Sequence, residues 1–221
     1  MAATNKILCL HGYAMNSDWL RDWLRPLEQA LAGRAELIYL QAPIAVAEAD
    51  VRATTGRFQA VVPDDRLGPG LNWCWYRASD EKPPRYSGLE QSLDVLHDLF
   101  AQQGPIRGVL GWSQGAVVAA MLAGLMKRDP GSGFPFELGV FCGGFLPGAP
   151  EYRRLFAEPL KMPSLHVIGR KESDFMRTQG EKLLAAFEAS ERLDTPVGHV
   201  LPIKHPEYMT KIANWIGKRC Y

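Results

Sequence analysis

The chain has 221 residues, and 47% of them are hydrophobic, so it is long enough to bury the core of a single domain. Its 25 Lys and Arg residues nearly balance its 24 Asp and Glu residues, which leaves a formal net charge of +1. A charge so close to zero argues against nucleic acid or an anionic membrane surface as the partner. No apolar run reaches the roughly 18 residues that a membrane-spanning helix needs, so we expect no membrane span.

The cysteines and the N-terminus bear on the cellular compartment. Four widely spaced cysteines form no C-x-x-C pair, and two of them, Cys9 and Cys142, lie within apolar runs typical of strands. This usage favours buried, reduced thiols. The apolar stretch near the N-terminus is too short for a signal peptide. We therefore expect a cytoplasmic protein.

Short apolar runs that end in glycine or loop residues alternate with helical patterns along the chain. The runs predict six strands, at residues 6–10, 36–40, 106–110, 137–141, 165–168 and 192–196. Helices are predicted at residues 17–31, 114–127, 178–190 and 206–218. In the first helix, Ser17 is the expected N-cap and Pro26 is expected to cause a kink or a break.

Strands that alternate with helices are typical of a parallel sheet covered by helices on both faces. We therefore predict an α/β fold over residues 1–221, a single domain with a mostly parallel central sheet of about six strands. In such sheets the functional loops gather at the carboxyl ends of the strands.

One segment, at about residues 43–86, does not follow this alternation. It is rich in Gly, Pro and charged residues, shows no sustained period, and contains Trp73, Trp75 and Tyr76 in the sequence LNWCWY. A long irregular segment in a compact domain is often a lid or a binding loop. The other interpretation is an aromatic cluster that packs on the edge of the sheet.

The clearest functional signal is Gly111-Trp112-Ser113-Gln114-Gly115, a G-x-S-x-G motif between a predicted strand and a predicted helix. The motif describes a tight strand-to-helix turn that lifts a serine hydroxyl off the end of the sheet. Glycines two positions before and after the serine avoid collisions with the turn. The following helix would present its N-terminus to developing negative charge. We predict that Ser113 is a nucleophile.

A serine hydroxyl needs a base, and in this kind of fold the chain order is Ser, then Asp or Glu, then His. His199 follows the last predicted strand and is the expected base, with His205 as the alternative. The loop after the fifth strand should supply the acid. We expect it to be Asp174, with Glu172 as the rival and a helix cap as the other interpretation of Asp174.

An acyl-transfer site also needs two N–H groups for the oxyanion. One is expected from the backbone of Gln114, directly after the nucleophile. The second is expected from the loop after the first strand, His11-Gly12-Tyr13, where Gly12 lets the backbone approach the substrate and Tyr13 gives its N–H.

These motifs together resemble the FSH family of serine hydrolases, a compact branch of the α/β-hydrolases. The similar segments cover nearly the whole chain in order: LCLHGYAMNS, LQAP, NWCWY, GWSQGA, VFCGGFLP, LHVIGRKESDFM and GHVLP. The resemblance implies an α/β-hydrolase fold, with Ser113, Asp174 and His199 as the triad. It also implies an esterase or thioesterase that acts on acyl chains, as family members do; some release polyketide or fatty acyl groups.

We therefore expect hydrolysis of a small-molecule acyl ester or thioester through an acyl-enzyme, with no cofactor and no metal. Apolar side chains that could line an acyl pocket are Trp73, Trp75, Tyr76, Phe145, Leu146, Phe175 and Met176. Each of them could equally be core packing. The alternatives are a relative that binds without turnover and a hydrolase of non-ester bonds. Nothing in the sequence indicates an oligomeric state.

Overall fold

The structure, a computed structural model, describes residues 5–52, 66–68 and 70–220. Its strands are, in chain order, β1 (Asn5–Leu10), β2 (Ala35–Leu40), β3 (Ile44–Ala45), β4 (Trp73–Cys74), β5 (Arg77–Ala78), β6 (Tyr86–Ser87), β7 (Ile106–Trp112), β8 (Leu138–Cys142), β9 (Ser164–Gly169) and β10 (Ser190–Thr195). Its helices are α1 (Ser17–Leu31), α2 (Leu89–Gln103), α3 (Gln114–Arg128), α4 (Pro150–Arg153), α5 (Asp174–Leu184) and α6 (Pro206–Gly217).

The six longer strands form one parallel sheet in the order β10-β9-β8-β7-β1-β2. The predicted α/β class and six-stranded parallel sheet are confirmed. The direction in which strands are added reverses between β1 and β7. From β1 the chain adds β2 on one side, and from β7 it adds β8, β9 and β10 on the other side. Ligands of open α/β sheets bind in the crevice at such a switch point, outside the carboxyl ends of the strands. The loops after β1 and β7 therefore face each other where a site is expected.

Apolar cores cover both faces of the sheet. On one face α1 and α6 pack together, and their buried residues include Leu20, Leu24 and Ile212. On the other face lie α2 and α3. Helix α3 is buried along eleven consecutive residues, Gln114 to Gly124, so it has no solvent-facing polar stripe over that length. This explains its small, apolar sequence: close packing of α3 on the sheet fixes the position of its first turn.

The irregular segment at about residues 43–86 is described only in part, because residues 53–65 and 69 lie outside the described residues. Its described parts form two short antiparallel pairs, β3 with β4 and β5 with β6. Trp75 is completely buried in the core on the face of the sheet that α2 and α3 cover. The aromatic cluster therefore packs onto the domain, and movement of the segment as a lid stays a prediction.

Two helix details differ from the sequence-based expectations. Helix α1 is capped by Asn16, whose side chain accepts a hydrogen bond from the N–H of Trp19 at 2.7 Å, so Ser17 is its first residue rather than its cap. The helix also continues through Pro26. A proline has no N–H to donate to the helix, and this loss is offset because Leu24 and Leu27, on either side of it, are fully packed in the core.

The helix predicted at residues 178–190 lies four to six residues earlier, at Asp174–Leu184. Ser173 caps it by accepting a hydrogen bond from the N–H of Met176 at 3.3 Å. The chain after Leu184 then turns into β10. This earlier start matters for the site, because it places Asp174 in the first helical turn.

All four cysteines are free and buried, as predicted. Within residues 5–52, 66–68 and 70–220, no helix has both the length and the apolar character needed to cross a membrane.

His166, in the middle of β9, is a buried imidazole on the face of the sheet that α2 and α3 cover. Its ring lies 5.1 Å from that of Phe141 and 5.4 Å from that of Phe187, and one ring nitrogen is 3.0 Å from the Ser164 hydroxyl. Burial lowers the pKa of His166 to about 3, so the ring is neutral when folded.

We expect this buried imidazole to make the fold acid-sensitive. Unfolding exposes a histidine that binds a proton below its ordinary pKa of about 6.5, so the free energy of unfolding should fall as pH drops from 6.5 toward 3. The slope due to one such histidine approaches about 1.4 kcal/mol per pH unit. Urea unfolding at pH 7, 5 and 4 measures the slope. His166→Phe should reduce it, and an unchanged slope in that variant would contradict the assignment.

Candidate active site

Ser113 lies between β7 and α3 with φ 51° and ψ −117°, a left-handed backbone that few residues other than glycine adopt. Its N–H donates to the carbonyl of Cys142 at 2.9 Å, and its own carbonyl accepts from Ala116 and Val117 in the first turn of α3. Such a conformation costs on the order of 1–3 kcal/mol and persists only where the surroundings enforce it. The predicted strained turn is therefore present.

The two motif glycines are required by close backbone contacts. A Cβ on Gly111 would collide with the backbone of Gly115 and Ala116. A Cβ on Gly115 would collide with the carbonyls of Leu10 and His11 at the end of β1. Helix α3 thus starts in direct contact with β1, and only glycine allows that approach.

His199 is the histidine that meets the serine. Its Nε2 atom lies 2.8 Å from Ser113 Oγ, which is hydrogen-bonding distance. The ring also packs beside Trp112, with ring centroids 5.5 Å apart. His205, the alternative base, directly precedes α6 and has its Nδ1 atom 3.6 Å from Glu207 Oε1 instead.

Glu172, not Asp174, is the carboxylate that faces His199. Its Oε1 atom is 3.5 Å from His199 Nδ1, and the two side chains are only 4% and 12% exposed. Asp174 is 94% exposed and forms an ion pair with Arg177 at 2.6 Å. The geometry thus differs from the expectation that Asp174 is the acid. The physical reason is the helix start: Asp174 lies in the first turn of α5 and points to solvent.

Two backbone hydrogen bonds connect the loop that holds Glu172 to the loop that holds His199. Arg170 N–H donates to Thr195 O at 2.8 Å, and Lys171 N–H donates to Val197 O at 2.9 Å. These bonds extend the β9–β10 pairing past the ends of the strands. They hold the loop of Glu172 next to the loop of His199.

Of the two residues expected to form the oxyanion hole, Gln114 directly follows Ser113 in the chain, and Tyr13 directly follows Gly12. Gln114 is the first residue of α3, so its N–H is among those that a helix leaves unpaired by its own backbone. Gly12, next to Tyr13, approaches so closely that a Cβ there would collide with the ring of Trp112 and lie 3.4 Å from Ser113 Cβ. The oxyanion role of Gln114 and Tyr13 stays a prediction.

His11 has a supporting position that the sequence did not reveal. Its Nδ1 atom is 2.8 Å from the carbonyl of Gly12, so this nitrogen carries the proton, while Nε2 accepts from Ala42 N–H at 3.1 Å. Burial lowers its pKa to about 4, although the bond to Gly12 opposes the shift. The neutral ring connects the loop after β1 to the loop after β2.

The seven apolar residues predicted to line a pocket divide by exposure. Four are buried: Trp75, Tyr76, Leu146 and Met176. Trp73 and Phe145 are partly exposed, and Phe175, beside the acid loop, is 65% exposed. Buried side chains have no free surface for a ligand. Trp73, Phe145 and Phe175 are therefore the better candidates for a pocket wall. A substrate-binding role for any of the seven stays a prediction.

Comparisons with known proteins show the family of the chain. A family model described as serine hydrolase (FSH1) matches residues 1–211. The esterase OVCA2 of Xenopus tropicalis is 30% identical over 210 residues, which cover 91% of this chain and 88% of that protein. The esterase OVCA2 of Danio rerio is 30% identical over 204 residues, which cover 89% of this chain and 90% of that protein.

Solved structures extend the comparison to the fold. The crystal structure of acyl-protein thioesterase 2 from Zea mays matches with a TM-score of 0.68 and 19% sequence identity, over 100% of this chain and 96% of that chain. This similarity shows an α/β-hydrolase fold.

We expect Gly115→Ala to disrupt the turn, because the added Cβ would push α3 away from the carbonyls of β1. The variant should lose several degrees in Tm and lose labelling of Ser113 by a fluorophosphonate probe. Gly180→Ala in α5 is the matched control, since its Cβ would meet its nearest atom at an ordinary 3.4 Å. Equal behaviour of the two variants would contradict the close-contact explanation.

Proposed function

Since the chain belongs to the FSH1 family of serine hydrolases, we propose that it hydrolyses carboxylic esters or thioesters with Ser113 as the nucleophile, His199 as the base and Glu172 as the acid. The observation that carries this proposal is the 2.8 Å distance between His199 Nε2 and Ser113 Oγ. A hydroxyl on a strained turn, already paired with an imidazole, is the arrangement that nucleophilic catalysis requires.

In the first half-reaction, His199 Nε2 accepts the hydroxyl proton as Ser113 Oγ attacks the carbonyl carbon. The resulting oxyanion would be held by the N–H groups of Gln114 and Tyr13. The carbon–oxygen or carbon–sulfur bond then breaks, and the imidazolium returns its proton to the leaving alcohol or thiol. The acyl group remains on Ser113 as an ester.

In the second half-reaction, water takes the place of the leaving group. His199 removes a proton from the water, which attacks the acyl-enzyme, and the proton then passes to Ser113 Oγ as the carboxylic acid departs. The same ring thus acts as base and acid in each half, which requires that it stay neutral at rest.

Glu172 would act by charge and orientation. At 3.5 Å its Oε1 atom is beyond a good hydrogen bond to His199 Nδ1, and that nitrogen has no other hydrogen-bond partner among the described residues. Catalytic hydrogen bonds are often long in a ligand-free site and tighten when substrate binds. The buried carboxylate favours the tautomer with the proton on Nδ1 and stabilises the imidazolium during turnover.

The substrate we propose is a small-molecule ester or thioester with an apolar acyl group. The names of the relatives, which are esterases, and of the Zea mays neighbour, which is an acyl-protein thioesterase, are consistent with this class. Trp73, Phe145 and Phe175 provide apolar surface that is not fully used by the core.

Ser113→Ala should abolish both ester hydrolysis and labelling by a fluorophosphonate probe, because the alanine has no hydroxyl to attack. His199→Ala should lower kcat by about 10⁴-fold, whereas His205→Ala is the matched control and should be near wild type. A screen of ester, thioester and peptide substrates with the same variants tests the bond type. Labelling that survives Ser113→Ala, or cleavage of peptides alone, would refute the proposal.

Glu172→Gln should lower kcat by about 10²- to 10⁴-fold, because the imidazolium loses its countercharge. Asp174→Asn is the matched control, since its exposed carboxylate should leave kcat within about twofold of wild type. Steady-state kinetics on the most reactive ester from the screen compare the two. The reverse ranking would assign the acid role to Asp174.

A further inference from the structure

We propose that the side chain of Gln114 is a positioning residue that couples the two halves of the oxyanion hole. This inference rests on the function proposed above, in which the backbone N–H groups of Gln114 and Tyr13 bind the oxyanion. It assigns a separate role to the Gln114 amide, which points away from the substrate and into the protein.

The Gln114 side chain is buried, with 6% of the residue exposed, and both ends of its amide are paired. Oε1 accepts from the Trp75 N–H at 2.8 Å, and Nε2 donates to the Tyr76 carbonyl at 2.8 Å. One side chain thus accepts from one residue and donates to the next. Only a group with an adjacent donor and acceptor can make both bonds.

The segment held by Gln114 in turn holds the oxyanion loop. The Trp75 indole N–H donates to the carbonyl of His11 at 2.8 Å. His11 directly precedes Gly12 and Tyr13, the predicted source of the second oxyanion donor. A buried bond from the Ser92 hydroxyl to the Trp75 carbonyl, at 2.6 Å, fixes the same residue from α2. The path from Gln114 through Trp75 to His11 therefore links one donor to the other.

This linkage has a physical use in catalysis. Two N–H groups stabilise an oxyanion only when both lie about 2.7–3.1 Å from it, and that spacing is set by the relative placement of two separate loops. Displacement by about 1 Å can cost a factor of 10² in rate. Gln114 carries one donor on its backbone and, through its side chain, holds the partner loop at a fixed distance.

Gln114→Glu tests the role, because the change keeps the size of the side chain and the backbone N–H. An ionised carboxylate can accept from Trp75 but cannot donate to Tyr76, whereas a protonated carboxyl group can do both. Burial disfavours the charged form, so this carboxyl group should gain its proton at a higher pH than an exposed glutamate. Gln114→Leu cannot make either bond at any pH.

At pH 8 we expect both variants to lose about 10- to 100-fold in kcat, with KM changed by less than about threefold, because the lost interaction acts on the transition state. The ratio of Gln114→Glu to wild-type kcat should rise at least about tenfold between pH 8 and pH 5.5, while that of Gln114→Leu should stay low. Using ratios removes any pH dependence that the variant and the wild type share.

Rates are expressed per site that a fluorophosphonate probe can label, and far-ultraviolet circular dichroism checks folding at each pH. A residue that only stabilises the fold would lower the number of labelled sites and leave the rate per site unchanged, which would overturn the inference. A ratio of Gln114→Glu to wild-type kcat that is equal at pH 8 and pH 5.5 would also overturn the inference. In either case wild-type labelling at Ser113 would leave the proposed function intact.

Trp75→Phe provides a second test, since it removes the indole N–H that reaches His11 and keeps an aromatic ring in the core. If the two residues act through one path, the loss in kcat of Gln114→Leu combined with Trp75→Phe should be clearly smaller than the product of the single losses. Losses that multiply would show independent effects and would overturn the coupling.

Discussion

The backbone of Ser113 is the constraint on which the site depends. Its positive φ is unfavourable by itself, yet it is fixed from three sides: by the bond to Cys142, by the contact of Gly115 with the end of β1, and by the buried length of α3. The free energy gained by packing α3 on the sheet offsets the local strain. As a result the hydroxyl is held at the switch point of the sheet before any substrate arrives, so little reorganisation is left for the reaction itself.

Much of this architecture could be predicted from the sequence, because its causes are local. Strand and helix periods give the sheet, and a serine flanked by glycines at a strand-to-helix junction has few structural explanations other than a tight turn. His199 could be found for a similar reason: it follows the last strand, and parallel strands bring their carboxyl ends to one edge. Ser113 and His199 are separated by 86 residues in the chain and meet at 2.8 Å.

The carboxylate that faces His199 and the buried aromatic residues could not be assigned in this way. Whether Glu172 or Asp174 turns inward depends on where α5 begins, and a Ser173 cap shifted that start by several residues from the expected one. Element boundaries are the least reliable part of a sequence-based prediction. Trp75 and Tyr76 have the composition of a pocket wall, but hydrogen bonds to residues distant in sequence draw both into the core.

The strand that leads into the histidine loop is also the outermost strand of the sheet on its side. An edge strand offers backbone groups that another chain could pair with. Charged side chains occupy this edge: Arg192 contacts both Asp194 and Glu181, and Glu191 is paired with Arg219. Such charges discourage the docking of a foreign strand. The strand Ser190–Thr195 thus has two tasks: it leads the chain to His199, and it carries charges that disfavour pairing with another strand.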